Sequence, residues 1–482
     1  MKIKEIVQTT PNFQVLSEDE MERIYFDALG VIESLGARVK SPRARRLLAN
    51  SEAVVTDTDL VRIPAVLVEK ALLGHPSKIA LAGRSRTRGV RLQKDELAFG
   101  AGPIYPQKPD NSRPADGQSL YEKIYNAARL VDFLPNFDFI AGPLQFFSAN
   151  RTSWDLSIVA AMLEGSCKPM LLGSADVRQL HGLWQMGTLI CGGEKEFRLH
   201  PFFAHYVEID SPLILSADAA DKLLFCAEKQ IPCVCASRAI SGITAPSTIA
   251  GMLVQSLAET MLVSVLSYLQ NPGMPLIRGG VTGAGSQNFN RCCYGAPELA
   301  LSVAANTDIS KWLGLGMLSP AGITDAHDLG QEAGVDCSAG LFYAFLSGAD
   351  MIYGSGMISG AEQFCMDSTV MCNEIISMIK QIGKGICTDE QYLAMDLIES
   401  VGPGGEYLTQ DHTHEHWQQW FRPRLINRTA YDGWLAAGAT TMKQRAVEQR
   451  CKILDEHTPA PMDPKLLAEL RALAANSQKE DH

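Results

Sequence analysis

Eight short apolar runs punctuate this chain at intervals of roughly 30 to 43 residues, and helical patterns fill the gaps between them. The runs are Leu97–Ile104, Phe137–Pro143, Pro169–Ala175, Phe202–Ile209, Pro232–Ser237, Pro275–Gly280, Trp312–Leu318 and Ala349–Met357. They are near-continuously apolar rather than alternating, as strands buried on both faces are, and such strands belong to parallel sheets covered by helices. In the gaps, Asp116–Phe133 aligns Leu120, Ile124, Ala127 and Val131 on one helical face. Ser153–Glu164, Ser216–Gln230, Ser247–Gln270, Pro297–Ala305 and Asp336–Leu346 continue the helical pattern. Eight strand–helix units close most economically into an α/β fold of the (β/α)8 TIM-barrel type, with a doubly wound open sheet as the alternative. The barrel is expected over 91–385. An N-terminal helical extension over 1–90 opens with a helix capped by Ser17 and Glu20. A C-terminal helical extension over 386–482 is expected to pack on the barrel.

Composition excludes several classes of partner. The formal charge is −11, from 43 basic and 54 acidic residues, which argues against a nucleic-acid surface. The opening MKIKEIVQTTPNF lacks the apolar core of a secretory signal. The longest apolar stretch, Thr248 to Leu269, carries Gln255 and Glu259 and reads as a buried helix rather than a membrane span. Twelve scattered cysteines without a C-x-x-C read as reduced thiols, so a cytoplasmic location is expected. A homo-oligomer is expected, with no membrane and no nucleic-acid partner.

Function in such a barrel sits at the C-terminal ends of the strands. Residues there include Tyr105 after the first run, Phe147 and Arg151 after the second, and His205, Tyr206 and Glu208 on the fourth. Arg238 ends the fifth, Arg278 lies in the sixth, Asp325-Ala-His327-Asp328 and Gln331 follow the seventh, and Tyr353 lies in the eighth. No G-x-G-x-x-G follows a strand, no G-x-x-x-x-G-K-[ST] occurs, and no G-x-S-x-G elbow exists. The His412-Thr-His414-Glu-His416 cluster places only His412 and His416 on one helical face, too few for a metal site. No catalytic acid, base or nucleophile and no metal ligand is assigned. What remains is aromatic and cationic. It suits a ligand bearing an apolar cation, for the aromatic faces, and a carboxylate, for arginine.

Several segments then resemble one family. Ile243-Thr-Ala-Pro-Ser-Thr-Ile-Ala-Gly251, Pro275-Leu-Ile-Arg-Gly-Gly280, Gly295-Ala-Pro-Glu298 and Gly402-Pro-Gly-Gly-Glu-Tyr-Leu408 are similar to the trimethylamine methyltransferase superfamily. So is the tail from Asp411 through Trp420, Pro423, Arg428, Tyr431 and Trp434. The chain has no pyrrolysine, so it resembles the non-pyrrolysine branch, which acts on quaternary amines. The resemblance implies a TIM-barrel enzyme that moves a methyl group from glycine betaine, proline betaine, carnitine, γ-butyrobetaine or a similar small quaternary amine. The acceptor is Co(I) of a corrinoid (cobalamin) carried by a cognate partner protein and not bound permanently here. Where the family carries Ser-Asp-x-Lys, this chain has Thr324-Asp325-Ala326-His327, which marks His327 as a candidate specificity residue. The aromatic cage is expected from Tyr105, Phe147, Tyr206 and Tyr353. Arg238, Arg278 and His327 are expected to serve the carboxylate, with His205 and Gln331 as polar orienters. Rival readings are the same chemistry on choline, a non-catalytic betaine-binding or corrinoid-protein-docking module, and an unrelated barrel enzyme.

Overall fold

The computed structural model describes residues 13–86, 89–92, 96–105, 119–144, 156–285 and 291–479, and in it eight parallel strands close into a barrel. They are β1 (Ala98–Ala101), β2 (Phe139–Ala141), β3 (Met170–Leu172), β4 (Phe203–Ile209), β5 (Cys233–Ile240), β6 (Leu276–Gly283), β7 (Gly316–Pro320) and β8 (Met351–Ser355). Each overlaps one of the eight apolar runs. Neighbours pair in chain order, and β8 returns to β1. The helices that follow them are α1 (Leu120–Phe133), α2 (Leu156–Gly165), α3 (Val177–Cys191), α4 (Ala217–Lys229), α5 (Ile249–Gln270), α6 (Pro297–Trp312), α7 (Gln331–Ser347) and α8 (Met366–Ile382).

Local chemistry explains the helix limits. Ser119 and Glu122 form a capping box at α1, and Asp176, Ser216 and Thr248 cap α3, α4 and α5. α6 runs seven residues beyond the apolar periodicity, which breaks at Asn306-Thr307-Asp308. These polar residues are buried because each has a job. Asn306 accepts from Arg278, and Asp308 accepts from the backbone of Val15 and Leu16 at 2.8 and 3.1 Å. α5 is long and apolar enough to cross a membrane, yet most of it is buried within the protein. Its Glu259 accepts hydrogen bonds from Ser211, Ser237, Gln255 and the Leu213 amide, which accounts for a carboxyl group in an apolar helix.

Strand residues alternate between the barrel interior and the surrounding helices. Ala98, Phe139, Leu171, Ala204, Tyr206, Val234, Ala236, Ile277, Leu318, Met351 and Tyr353 form one interior cluster. Ile79, Leu81, Val90 and Leu92 join it from a hairpin, Ile79–Ala82 with Gly89–Leu92, that closes the N-terminal end of the barrel. The N-terminal extension is therefore not wholly helical. Besides that hairpin it holds a small sheet in which Ala37–Val39 pairs with Leu60–Arg62 and with Ile214–Leu215. Strands of two to four residues leave too short an alternation to read in sequence.

The C-terminal extension divides. Helices α9 (Met442–Glu456) and α10 (Pro464–Lys479) pack on the barrel, α9 against α8 and α1, α10 against α2 and α3. Over 384–441, between α8 and α9, Leu425 alone is buried, and the segment is tied to α8 through Glu374 and Gln381. All twelve cysteines are free.

One glycine is dictated by strand contact. Gly280 has φ +128°, and a Cβ there would lie 2.0 Å from the Ser237 carbonyl oxygen on β5. Gly280→Ala is expected to destabilise the barrel by about 2–4 kcal/mol. Thermal unfolding would register this as a lower Tm; an unchanged Tm would mean that β5 and β6 are less closely apposed.

Candidate active site

Strands β4, β5 and β6 are the longest of the barrel, at seven, eight and eight residues, and they carry side chains furthest toward the C-terminal mouth. On β4 the interior positions are Ala204, Tyr206 and Glu208; on β5 they are Val234, Ala236 and Arg238. The register pairs Tyr206 with Val234 and Glu208 with Ala236. Arg238 therefore stands one layer above Glu208 on the same face, and their side chains form an ion pair at 3.6 Å. β8 contributes Tyr353, fully buried, and the loop after β6 contributes Tyr294, partly exposed as a residue but with its phenol directed at this group. Tyr206, Tyr294, Tyr353, Glu208 and Arg238 thus converge on one polar pocket floor.

Its electrostatics follow from burial. Desolvation holds the phenols of Tyr206, Tyr294 and Tyr353 above the usual tyrosine range, so they remain neutral. Desolvation also raises the Glu208 carboxyl to about 7, against the opposing pull of Arg238. The Tyr353 hydroxyl is buried beside that of Tyr206, and its remaining hydrogen-bonding capacity is unmet among the described residues. A buried polar atom of this kind is costly unless a ligand or water satisfies it. The floor therefore offers aromatic faces, one carboxyl that ionises near neutrality, one arginine and one hydroxyl with unmet hydrogen-bonding capacity.

The expected site residues separate into three groups. Tyr206, Arg238 and Tyr353 are brought together. Tyr105, His327 and Gln331 lie at the rim: the Tyr105 hydroxyl donates to Ala361 O at 3.0 Å, His327 Nδ1 is 3.0 Å from Ser359 Oγ, and Gln331 is the exposed first residue of α7. His205 and Arg278 face the helices instead. His205 is fully buried behind β4, with Nε2 3.3 Å from Ser174 Oγ, and burial beside Lys222 keeps its pKa well below the usual value. Arg278 is 1% exposed and donates to Asn306 Oδ1 at 2.6 Å, Asn306 O, Ser310 Oγ, Thr260 Oγ1 and Ser256 Oγ on α5 and α6. It clamps the barrel wall to two helices and cannot reach the mouth. Phe147 lies outside the described residues. Two members of the floor, Glu208 and Tyr294, were not among the expected residues. Glu208 was legible, since a strand that points Tyr206 inward also points Glu208 inward and His205 outward.

Elsewhere, the rings of His412 and His416 lie 4.2 Å apart, and no group of three His, Cys, Asp or Glu suited to a metal occurs among the described residues. A cavity of ≈ 360 Å³ between α1, α2 and α10 is lined by Tyr121, Ala160 and Arg471, where Glu164 already pairs with Arg471 at 2.7 Å. It holds no reacting group.

Comparison with known proteins agrees with this architecture. The model of the trimethylamine methyltransferase (MTTB) family matches residues 1–481. A trimethylamine methyltransferase, MttB, of Desulfitobacterium hafniense is 28% identical over 470 residues, covering 96% of this chain and 94% of that protein. A glycine betaine methyltransferase of the same species is 27% identical over 482 residues, covering 98% and 99%. The crystal structure of the Methanosarcina barkeri monomethylamine methyltransferase superposes with a TM-score of 0.51 at 12% identity, covering 92% of this chain and 88% of the other, and so shares the fold.

The placement of Arg278 has a measurable consequence. Arg278→Met removes five donated hydrogen bonds from buried neutral oxygens and is expected to cost about 2–4 kcal/mol. Tm should fall while ligand affinity at the mouth is retained. Loss of affinity at an unchanged Tm would return Arg278 to the site.

Proposed function

The chain belongs to the trimethylamine methyltransferase family, and on that premise we propose that it moves a methyl group from a carboxylated quaternary amine to Co(I) on a separate corrinoid protein. The observation that carries the choice of substrate is the Glu208–Arg238 pair set beside a floor of tyrosines. A betaine is a zwitterion, and this floor presents its complement: Arg238 for the carboxylate, Glu208 and aromatic faces for the ammonium. Each cation–π contact contributes about 0.5–2 kcal/mol in a desolvated site. The Tyr353 hydroxyl, beside that of Tyr206, adds a hydrogen-bond donor toward the same ligand.

The chemistry asks little of the protein beyond placement. The corrinoid protein supplies Co(I), a strong nucleophile, as the second substrate. A quaternary ammonium departs as a neutral amine, so no proton need be delivered, and the neutral phenols are not asked for one. Tyr206 and Tyr353 hold the cation from below, Arg238 fixes the carboxylate, and one methyl is left pointing out of the mouth. Such positioning turns an encounter into an in-line attack and can supply several kcal/mol of the barrier. Its hydrogen bond to Ser359 at the rim supports a role for His327 in distinguishing longer from shorter betaines. We further propose a cytoplasmic location, where a reduced corrinoid partner is found.

The direct test offers glycine betaine, proline betaine, carnitine, γ-butyrobetaine, choline and trimethylamine in turn with a Co(I) corrinoid protein, and follows methyl transfer by absorbance. Transfer from a betaine and not from choline or trimethylamine is expected. Transfer from choline or trimethylamine alone would contradict the zwitterion reading. Arg238→Gln should raise KM for the betaine about tenfold or more, the value of one charge-assisted hydrogen bond, and change KM for choline little. Equal losses on both would remove the carboxylate role.

Glu208 sets a pH dependence whose sign is fixed. Its carboxyl is protonated below about 7 and charged above it. Since the charged form holds the ammonium, kcat/KM should rise as pH increases through about 7 and level off beyond. Glu208→Gln should flatten that profile. A wild-type profile that falls through this range would show Glu208 acting in its protonated form.

A further inference from the structure

β5 outruns its neighbour. Its pairing with β4 ends where Ser237 meets Ile209, yet the strand continues to Ile240. Arg238 is therefore the first residue of β5 beyond the β4 backbone, and a buried amide at such a point needs another acceptor. A side chain takes the place of the missing strand. The Arg238 amide donates to Ser211 Oγ at 3.1 Å, in the turn that follows β4. The carbonyl of the same residue accepts from Thr244 Oγ1, in the loop that follows β5. Thr244 Oγ1 also accepts from the Ile240 amide at 2.9 Å, so it closes the strand end.

Both of these side chains lead back to one carboxylate on α5. Glu259 is fully buried, and its Oε2 accepts from Ser211 Oγ at 2.8 Å and from Ser237 Oγ. Its Oε1 accepts from the Leu213 amide at 2.9 Å and from Gln255 Nε2 at 3.2 Å. Gln255 in turn donates to the Thr244 carbonyl at 2.8 Å. The bond to Leu213 fixes the turn in which Ser211 lies. Two loops thus grip the amide and the carbonyl of Arg238, and one carboxylate holds both loops, the first directly and the second through Gln255. An amide in its place accepts at one atom only and loses the charge that strengthens each bond.

We infer that Glu259 is the positioning residue for Arg238. It lies behind β5, on the helix side of the barrel wall, and acts by fixing the peptide from which the Arg238 side chain departs toward Glu208. This role rests on the reading of Arg238 as the group that receives a carboxylate. A guanidinium at the end of a long side chain magnifies any tilt of its peptide, and a displacement of about 1 Å is enough to lose a directed contact. The consequence is selective. Loosening Glu259 should weaken the hold on the carboxylate end of a ligand and spare the ammonium end at Tyr206 and Tyr353. A network that merely stabilised the barrel would weaken both ends alike.

Calorimetric binding of γ-butyrobetaine and of choline to the full chain separates the two cases. Glu259→Gln should weaken γ-butyrobetaine about fivefold, near the value of one hydrogen bond, and choline less than about twofold. In an Arg238→Gln background the same substitution should add nothing for γ-butyrobetaine, since the group it positions is gone. Equal losses on both ligands, or a further loss of similar size in that background, would overturn the proposal. Should Glu259→Gln fail to fold, two substitutions at Ser211 decide. Ser211→Ala should reproduce the selective loss and Ser211→Thr should restore affinity; wild-type selectivity in Ser211→Ala would refute the link. Hydrogen exchange of the Arg238 amide needs no ligand. It should quicken about tenfold or more in Ser211→Ala while the amides of 234–236 keep their protection, and unchanged exchange would overturn the proposal. An Arg238→Gln variant that weakens γ-butyrobetaine and choline alike would instead remove the carboxylate reading, and the role of Glu259 with it.

Discussion

Closure of eight parallel strands assigns every strand residue to one of two sides, and the rest of this molecule follows from that assignment. Residues on one side fill the barrel and build its mouth; residues on the other bond the barrel to its helices. Tyr206 and Glu208 fall inside while His205 between them falls outside. Ser237 reaches Glu259 on α5 while Arg238, next in sequence, reaches Glu208 across the mouth. A single-residue slip of β5 against β4 would exchange these roles and dismantle the ion pair. The close approach of β5 to Gly280 on β6 leaves no room for such a slip.

The mouth that results is specialised by what it lacks as much as by what it holds. It is aromatic and carries one opposed pair of charges at 3.6 Å rather than a nucleophile and its base. That is economical for methyl transfer from a quaternary ammonium. Under the proposed function the leaving group is already a neutral amine and the nucleophile arrives on another protein. The chain's own residues would then have to bind a zwitterion in one orientation and keep water away. Arg278 illustrates the contrasting use of the same residue type. Its hydrogen-bond partners are all neutral oxygens, and desolvation lowers its pKa to about 10. Its five donors are spent on holding α5 and α6 to the wall.

Much of the fold was legible from sequence because parallel strands buried on both sides are continuous apolar runs, and all eight could be located. The same property hid the parity of each strand. With apolar residues on both faces there is no alternation to say which face is which, so His205 and Arg278 could be grouped with Tyr206 and Arg238 although they point the other way. Capping chemistry was readable where it is local, as at Ser17 with Glu20 and at Ser216. It was not readable where a polar run is satisfied at long range, as for Asn306 and Asp308 in α6. The small N-terminal strands were too short to carry a pattern. The extension over 386–482 was expected to pack on the barrel, whereas Trp417, Trp420 and Tyr431 in it stay largely exposed.

The proposed position of a zwitterion between Arg238 and the tyrosine floor is open to direct view in a crystal structure of the protein with γ-butyrobetaine or glycine betaine bound. The carboxylate should accept from Arg238, and the trimethylammonium should lie against Tyr206 and Tyr353, near Glu208. A betaine bound with its carboxylate turned away from Arg238, or bound outside the mouth altogether, would rule that position out.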